Sequence, residues 1–326
     1  MSSVWVEEDK RVKMRIAYII TAYIDAPQLR RLIDALCLDP LQGKTDFYVH
    51  IDKKVDIRPF KRAMERCSSD VCWCKRRYRI NWGGFNQVWS QFELLRMIFE
   101  ESKQEYDRII CLSGTDYPLV SNTKIVETFQ SYPDIEYIGG FNLTRCNDNA
   151  QVRKVRDYHF FRDIPLPLSL KRLLCGGTRL LFRYLPIRKN LIVIGSNGLR
   201  YEIYTGSDYW ALTYNTAKIV FETMRDDKKL MSYFRTSYIP SEGVINTIVF
   251  NLVGKRKCSH YSDALVYPGL EALTPLHYLH YDGAIKIYTA DDFEELSRSD
   301  KMFFRKAKTG YSDILINQIE NDLRKK

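Results

Sequence analysis

Arg15-Ile16-Ala17-Tyr18-Ile19-Ile20-Thr21, then Pro27–Leu38, then Asp46–Ile51: these stretches decide how the chain folds. The first is apolar, β-branched and aromatic, the composition of a buried strand. In the second, Leu29, Leu32, Ile33 and Leu36 recur at helical spacing and make one apolar face. The third reads as another strand and runs into His50-Ile51-Asp52-Lys53-Lys54. A strand–helix–strand opening with polar residues where the second strand ends predicts a doubly wound α/β sheet. Such sheets bind ligands at the carboxyl ends of their strands.

The rest of the chain continues the pattern. Ile57–Arg66 is expected to be helical and Val71–Ile80 a strand. In Asn81-Trp82-Gly83-Gly84-Phe85-Asn86-Gln87-Val88 the glycine pair breaks the chain, and a helix restarts over Val88–Glu101. Arg108–Leu112 is a core strand that runs straight into Ser113-Gly114-Thr115-Asp116-Tyr117-Pro118-Leu119. Ile135–Gly139 is a further strand. No repeat, low-complexity segment or linker divides the chain. Residues 1–13 read as a tail and 14–326 as one catalytic domain.

Composition narrows the partners. The chain has 326 residues, 45% hydrophobic and 28% charged, ordinary for a globular protein with a sizeable core. A net charge of +10 favours an anionic partner: nucleic acid, an acidic membrane or a phosphate-bearing small substrate. Ile164–Tyr201 holds no Asp or Glu, but does hold Lys171, Arg172, Arg179, Arg183, Arg188, Lys189 and Arg200 among leucines. Such a segment either lies on anionic lipid or forms a basic surface facing solvent or substrate. The eight cysteines are irregularly spread; Cys72 and Cys74 lack a second close pair to complete a zinc site. The charged N-terminus has no apolar core of a signal peptide. No apolar run approaches the roughly 20 residues of a membrane span. A cytoplasmic location is the default expectation, which leaves the sequon Asn142-Leu143-Thr144 without meaning.

One carboxylate stands out. In Tyr238–Asn251, Pro240-Ser241-Glu242 precedes Val244, Ile245, Ile248, Val249 and Leu252 at helical spacing. Ser241 is an N-cap candidate, and Glu242 falls in the first turn of a buried helix. The helix dipole there should keep the carboxylate ionised. Two readings fit: a glutamate that merely complements the dipole, or a general base.

Other chemistries find less. There is no Asp-x-Asp to hold a divalent metal, and His50-x-Asp52 has no evident third ligand. The plainer reading of His50 is a hydrogen-bonded polar residue at a strand end. Neither a P-loop nor a dinucleotide fingerprint is present, so a bound diphosphate would need side-chain cations. Arg305-Lys306 is a candidate pair, or else a snorkelling surface pair. No nucleophile elbow or triad is evident. The basic charge and 22 tyrosines are compatible with nucleic acid, yet no RNP, zinc-finger or helix-turn-helix signature accompanies them.

Taken in order, His50–Lys53, Trp82–Gly84, Ser113–Leu119, Gly206–Thr213, Pro240–Glu242 and Phe303–Lys306 resemble the core-2/I-branching glycosyltransferase family, which includes β-1,6-N-acetylglucosaminyltransferases and protein xylosyltransferases. The resemblance implies a GT-A-type nucleotide-sugar-binding fold, a UDP-sugar donor, inversion at the anomeric carbon and no metal. It implies that Glu242 is the catalytic base and that Lys306, with Arg305, stabilises the departing diphosphate. It places Asp52, Ser113 and Asp116 on the donor side. Trp210, Asp208, Arg153 and Arg156 fall where the family contacts the acceptor. At the family's second phosphate-binding arginine this chain has His277, which is fully charged only when protonated. Animal relatives carry a membrane anchor and luminal disulfides, and this chain shows neither pattern. It is therefore expected to be a bacterial cytosolic member, peripheral at the inner membrane face. The implied reaction moves a sugar, GlcNAc by family weight, to a hydroxyl of a surface or lipid-linked glycan. The competing class is a non-enzymatic basic protein that binds nucleic acid or anionic membrane.

Overall fold

The computed structural model describes residues 13–325 apart from 66, 68, 103 and 186. The expected N-terminal tail, but for residue 13, lies outside the described residues. Strand Met14–Ala22 is the spine. Gly43–Ile51 and Arg108–Ser113 flank it, both parallel to it. Val71–Trp73 extends the sheet on one side, also parallel. On the other side Ala211–Thr213 runs antiparallel to Arg108–Ser113, followed by Glu136–Asn142 and Cys258–Ser262.

The period-2 alternation of the spine builds two layers. Ala17 and Ile19 face one core with Val88, Leu94, Leu95, Ile98, Val244 and Ile248. Ile16, Tyr18 and Ile20 face the other with Leu29, Leu32, Ile33 and Leu36 of helix Ala26–Leu36. Leu32 is completely buried; truncating such a leucine to alanine costs about 2–5 kcal/mol. Helices on both faces of a mostly parallel sheet form the doubly wound α/β architecture expected from the sequence.

A second, small sheet pairs Asp116–Pro118 with Phe303–Arg305, which pairs in turn with His277–Leu279. Tyr117, Tyr288, Phe304 and Leu315 pack against one another beneath it. This sheet brings together three residues from distant parts of the chain.

Two local expectations change. The strand expected over Val71–Ile80 stops at Trp73. Beyond it the chain wraps the carboxyl edge of the sheet: the Tyr78 carbonyl accepts from Lys53 N–H, and the Arg77 guanidinium donates to the carbonyls of Ile51, Asp52 and Val55. Ser241 does not cap a helix. Pro240–Glu242 forms a 3₁₀ turn, and the following helix, Val244–Val249, begins after Gly243 without a side-chain cap. Its apolar face is as expected, with Val244, Ile245, Ile248 and Val249 buried. The acid-free stretch folds as helix Leu168–Tyr184 and the hairpin Ile192–Ile194 with Arg200–Glu202. Among the described residues, no helix is long and apolar enough to cross a membrane. The eight cysteines are free thiols.

Candidate active site

The spine and its two parallel neighbours end side by side, with Thr21 opposite both His50 and Ser113. His50 is fully buried, and its Nε2 accepts from Tyr78 N–H at 2.9 Å. Burial pushes the imidazole down to about 4, so it is neutral and holds the strand end in place. Asp52 is buried one step on; Oδ1 accepts from Lys54 N–H at 2.8 Å and Oδ2 lies 3.4 Å from Lys54 Nζ.

Strand Arg108–Ser113 then turns sharply. Gly114 N–H donates to the Thr21 carbonyl, and a Cβ at Gly114 would stand 2.6 Å from Ala22 Cβ. The turn delivers Asp116 into the protein. Asp116 Oδ2 accepts from Ser113 N–H at 2.7 Å and from His277 Nε2 at 3.1 Å, while Oδ1 accepts from Arg305 Nη1 at 2.9 Å. Burial alone would raise this carboxyl, but His277 and Arg305 outweigh it and hold Asp116 below the usual carboxylate range. Arg305 Nη1 also donates to Thr115 Oγ1 at 2.8 Å, and the guanidinium lies over the Tyr209 ring. Lys306 is different. It is half-buried, and no hydrogen bond or ion pair engages its ammonium among the described residues. Burial and the Arg305 charge push that ammonium down. A partly desolvated cation without a partner is suited to an incoming anion.

Glu242 forms the other half of the site. Its carbonyl accepts from Gly206 N–H at 2.8 Å. A Cβ at Gly206 would stand 2.0 Å from the Gly139 carbonyl oxygen, so only glycine lets these segments meet. Asp208 follows, and its Oδ2 accepts from Gln87 Nε2 at 2.6 Å. Lys154 Nζ stands 3.8 Å from Glu242 Oε2. Burial, then the like charge of Asp208, push the Glu242 carboxyl up to about 8, and Lys154 offsets this only in part. Burial raises Asp208 to about 6.

This corrects the expectation that the helix dipole keeps Glu242 ionised. The helix behind it is six residues long and set off by Gly243, and its dipole is outweighed by desolvation and a neighbouring carboxylate. The correction suits general-base work better, because the best catalytic pKa lies near the working pH. Asp208 and Tyr209 couple the two halves: Asp208 acts on Glu242, while the next ring sits 4.5 Å from His277 and 5.2 Å from the Arg305 guanidinium.

Several residues expected to touch ligands are committed elsewhere. His277 and Asp116 have fully buried side chains and bond to each other at 3.1 Å, so neither presents a face to a diphosphate. Trp210 is 1% exposed and belongs to the core. Arg153 pairs with Asp157 at 3.2 Å, and Arg156 is exposed. The cation that faces Glu242 is Lys154, between them. Sequence reading missed it because helix Asn149–Arg156 offers three basic residues and spacing alone does not say which turns inward.

Tyr238 was also missed. Its N–H donates to the Lys154 carbonyl at 2.6 Å, and its ring carries the edge of exposed Trp82, the His159 imidazole and the Arg162 guanidinium. Gly83, at φ +73°, lies so close that a Cβ would stand 2.4 Å from the Tyr238 ring. The Trp-Gly-Gly stretch is thus joined to the Glu242 loop. No group of three or more His, Cys, Asp or Glu among the described residues could hold a metal ion.

Residues 16–267 match the family described as Core-2/I-Branching enzyme. The chain belongs to that family. Relatives include the xylosyltransferase oxt of Drosophila melanogaster, 24% identical over 272 residues, covering 79% of this chain and 26% of the fly protein. The mouse beta-1,3-galactosyl-O-glycosyl-glycoprotein beta-1,6-N-acetylglucosaminyltransferase 4 is 22% identical over 240 residues, covering 72% of this chain and 46% of the mouse protein. The chain thus spans about a quarter to a half of the length of these two relatives. Among solved structures, apo WbbM bifunctional glycosyltransferase aligns with a TM-score of 0.39 and 10% identity over 92% of this chain and 46% of that one. The family match runs through the edge that carries Asp52, Asp116, Asp208 and Glu242, while Arg305 and Lys306 lie beyond it.

Proposed function

We propose that this member of a glycosyltransferase family moves a sugar from a UDP-sugar to a glycan hydroxyl, with inversion and without a metal. The observation that carries the reading is a carboxyl near neutral pKa, Glu242, beside Asp208, whose neighbour Tyr209 packs on the Arg305 guanidinium, the residue before the cation Lys306.

In the reaction Glu242 accepts the proton of the acceptor hydroxyl as that oxygen attacks the anomeric carbon. The bond from that carbon to the diphosphate oxygen breaks, and its electron pair leaves with UDP. Lys306 stabilises the growing negative charge, an interaction strongest in the transition state. Arg305 is held by Asp116 and fixes the strand that presents Lys306. Lys154 keeps a fraction of Glu242 ionised before the acceptor arrives.

GlcNAc is our choice of donor sugar and a surface or lipid-linked glycan our choice of acceptor. The names of the relatives divide between xylosyl and N-acetylglucosaminyl transfer, so the donor panel must contain both. The test is release of UDP from UDP-GlcNAc, UDP-xylose, UDP-galactose and UDP-glucose. UDP-GlcNAc should be turned over fastest. No release from any of them contradicts the reading, and a preference for UDP-xylose replaces the sugar.

A further inference from the structure

Helix Leu168–Tyr184 is three-sided. One side packs on the protein: Cys175 Sγ donates to the Phe160 carbonyl, and the Phe182 ring lies against Tyr158 and Phe160. A second side carries Leu170, Leu173, Leu180, Leu181 and Tyr184, spaced at helical repeats and all exposed, Leu173 by 71% and Tyr184 by 79%. Gly176 and Gly177 lie in the same helix, and a Cβ at either would meet nothing. The third side falls at positions 172, 179 and 183, all arginine in sequence. Exposed leucines scattered singly need no explanation, whereas a stripe of them along one helix marks an interaction surface.

The charge of the segment selects what covers it. From Ile164 to Tyr201 there is no Asp or Glu and there are seven Lys or Arg. Arg188 and Lys189 are used internally. Arg188 donates to the carbonyls of Phe182, Leu185 and Ile187 and pairs with Asp157, and buried Lys189 donates to Ser237 Oγ. In sequence the helix carries Lys171, Arg172, Arg179 and Arg183 and no acid. A second copy of the chain would set like charges against each other. Nucleic acid would neutralise the arginines and leave the leucines in water. An anionic bilayer satisfies both, with leucines entering the acyl boundary and arginines at the headgroups.

We propose that this helix docks the protein on an anionic membrane surface, leucine stripe inward. The start of the same helix lies near the site. A cleft of about 260 Å³ at the start of the helix is lined by Lys171 together with Lys54, Arg79 and Asn81. Lys54 is the partner of Asp52, so the first turn of the helix borders a cleft next to the carboxyl edge of the sheet. An acceptor whose glycan is anchored in that membrane then reaches the site without leaving it. The docking stands whichever sugar is transferred.

The experiment is co-sedimentation of the full chain with phosphatidylcholine vesicles, with and without phosphatidylglycerol, from about 0.1 M to about 1 M salt. Over that range the screening length falls from about 10 Å to about 3 Å. The wild type should sediment with the anionic vesicles at low salt, stay in solution with the neutral ones, and be released at high salt. The pair Leu173→Ser and Leu181→Ser should weaken binding at least tenfold, and Arg172→Glu several-fold. Both variants should still release UDP from a soluble donor at the wild-type rate, which shows that they are folded. Equal binding to neutral and anionic vesicles, or none to either, overturns the proposal. So does a wild-type dimer in sedimentation velocity that the leucine variant dissociates, because a second copy then covers the stripe.

Discussion

Arg305 Nη1 lies 2.9 Å from Asp116 Oδ1 in a buried pair, whereas among the described residues no hydrogen bond or ion pair engages the ammonium of the next residue, Lys306. The two adjacent basic residues therefore have separable roles. Arg305→Ala leaves the Asp116 carboxylate with only His277 and the Ser113 N–H; breaking a buried pair costs about 3–5 kcal/mol, so the protein should melt several degrees lower. Lys306→Ala should melt like the wild type yet bind UDP more weakly and transfer sugar about 10²–10³ more slowly. Calorimetry and UDP titration on both variants check the division. The reverse pattern would exchange the roles.

Glu242 makes a stability prediction opposite to the one its position in the sequence suggests. Its folded pKa of about 8 lies above its ordinary value of 4.5, so the folded state binds more protons between those pH values. Its contribution to stability is full below about pH 4.5 and is lost as pH rises towards and through about 8. Glu242→Gln removes the charge and should melt higher than the wild type at pH 8, with little difference near pH 5. A variant that melts lower at pH 8 would restore the simple dipole-complement role.

The same carboxyl sets the pH profile. A general base works deprotonated, so kcat/KM should rise with pH to a plateau above about 8. Lys154 lowers this pKa, and Lys154→Met should shift the rising limb upward by at least about half a unit. At neutral pH the variant is slower, and on the alkaline plateau it recovers. A loss that is the same at every pH would mean that Lys154 acts on the acceptor instead.

Metal independence has a direct check. With Lys306 to neutralise the diphosphate, transfer should continue in EDTA at close to the untreated rate. Full loss that Mn²⁺ restores would show that the cation is not sufficient.

Much of this was legible in the sequence, for local reasons. The β-branched, aromatic run Arg15–Thr21 and the helical stripe of Leu29, Leu32, Ile33 and Leu36 are short-range patterns, and the central strand and the helix packed on it follow from them. The place of Glu242 at a turn before an apolar helix was also legible. What escaped is tertiary. Whether Arg305 or Lys306 turns inward depends on Asp116, far away in the chain. The pKa of Glu242 depends on Asp208 and on burial, neither visible in Pro-Ser-Glu. The resemblance alone placed Trp210 and His277 at ligand contacts, and only the packing shows that both side chains are buried.

The account rests on Glu242 as the base. The most direct measurement is sugar transfer by Glu242→Gln alongside its affinity for UDP. Glutamine keeps the shape but cannot accept the proton, and general-base catalysis is worth about 10²–10⁴. The account predicts a folded protein with near wild-type UDP affinity and transfer reduced by at least about a hundredfold. Transfer at the wild-type rate by that variant would contradict it and move the search for the base to Asp208.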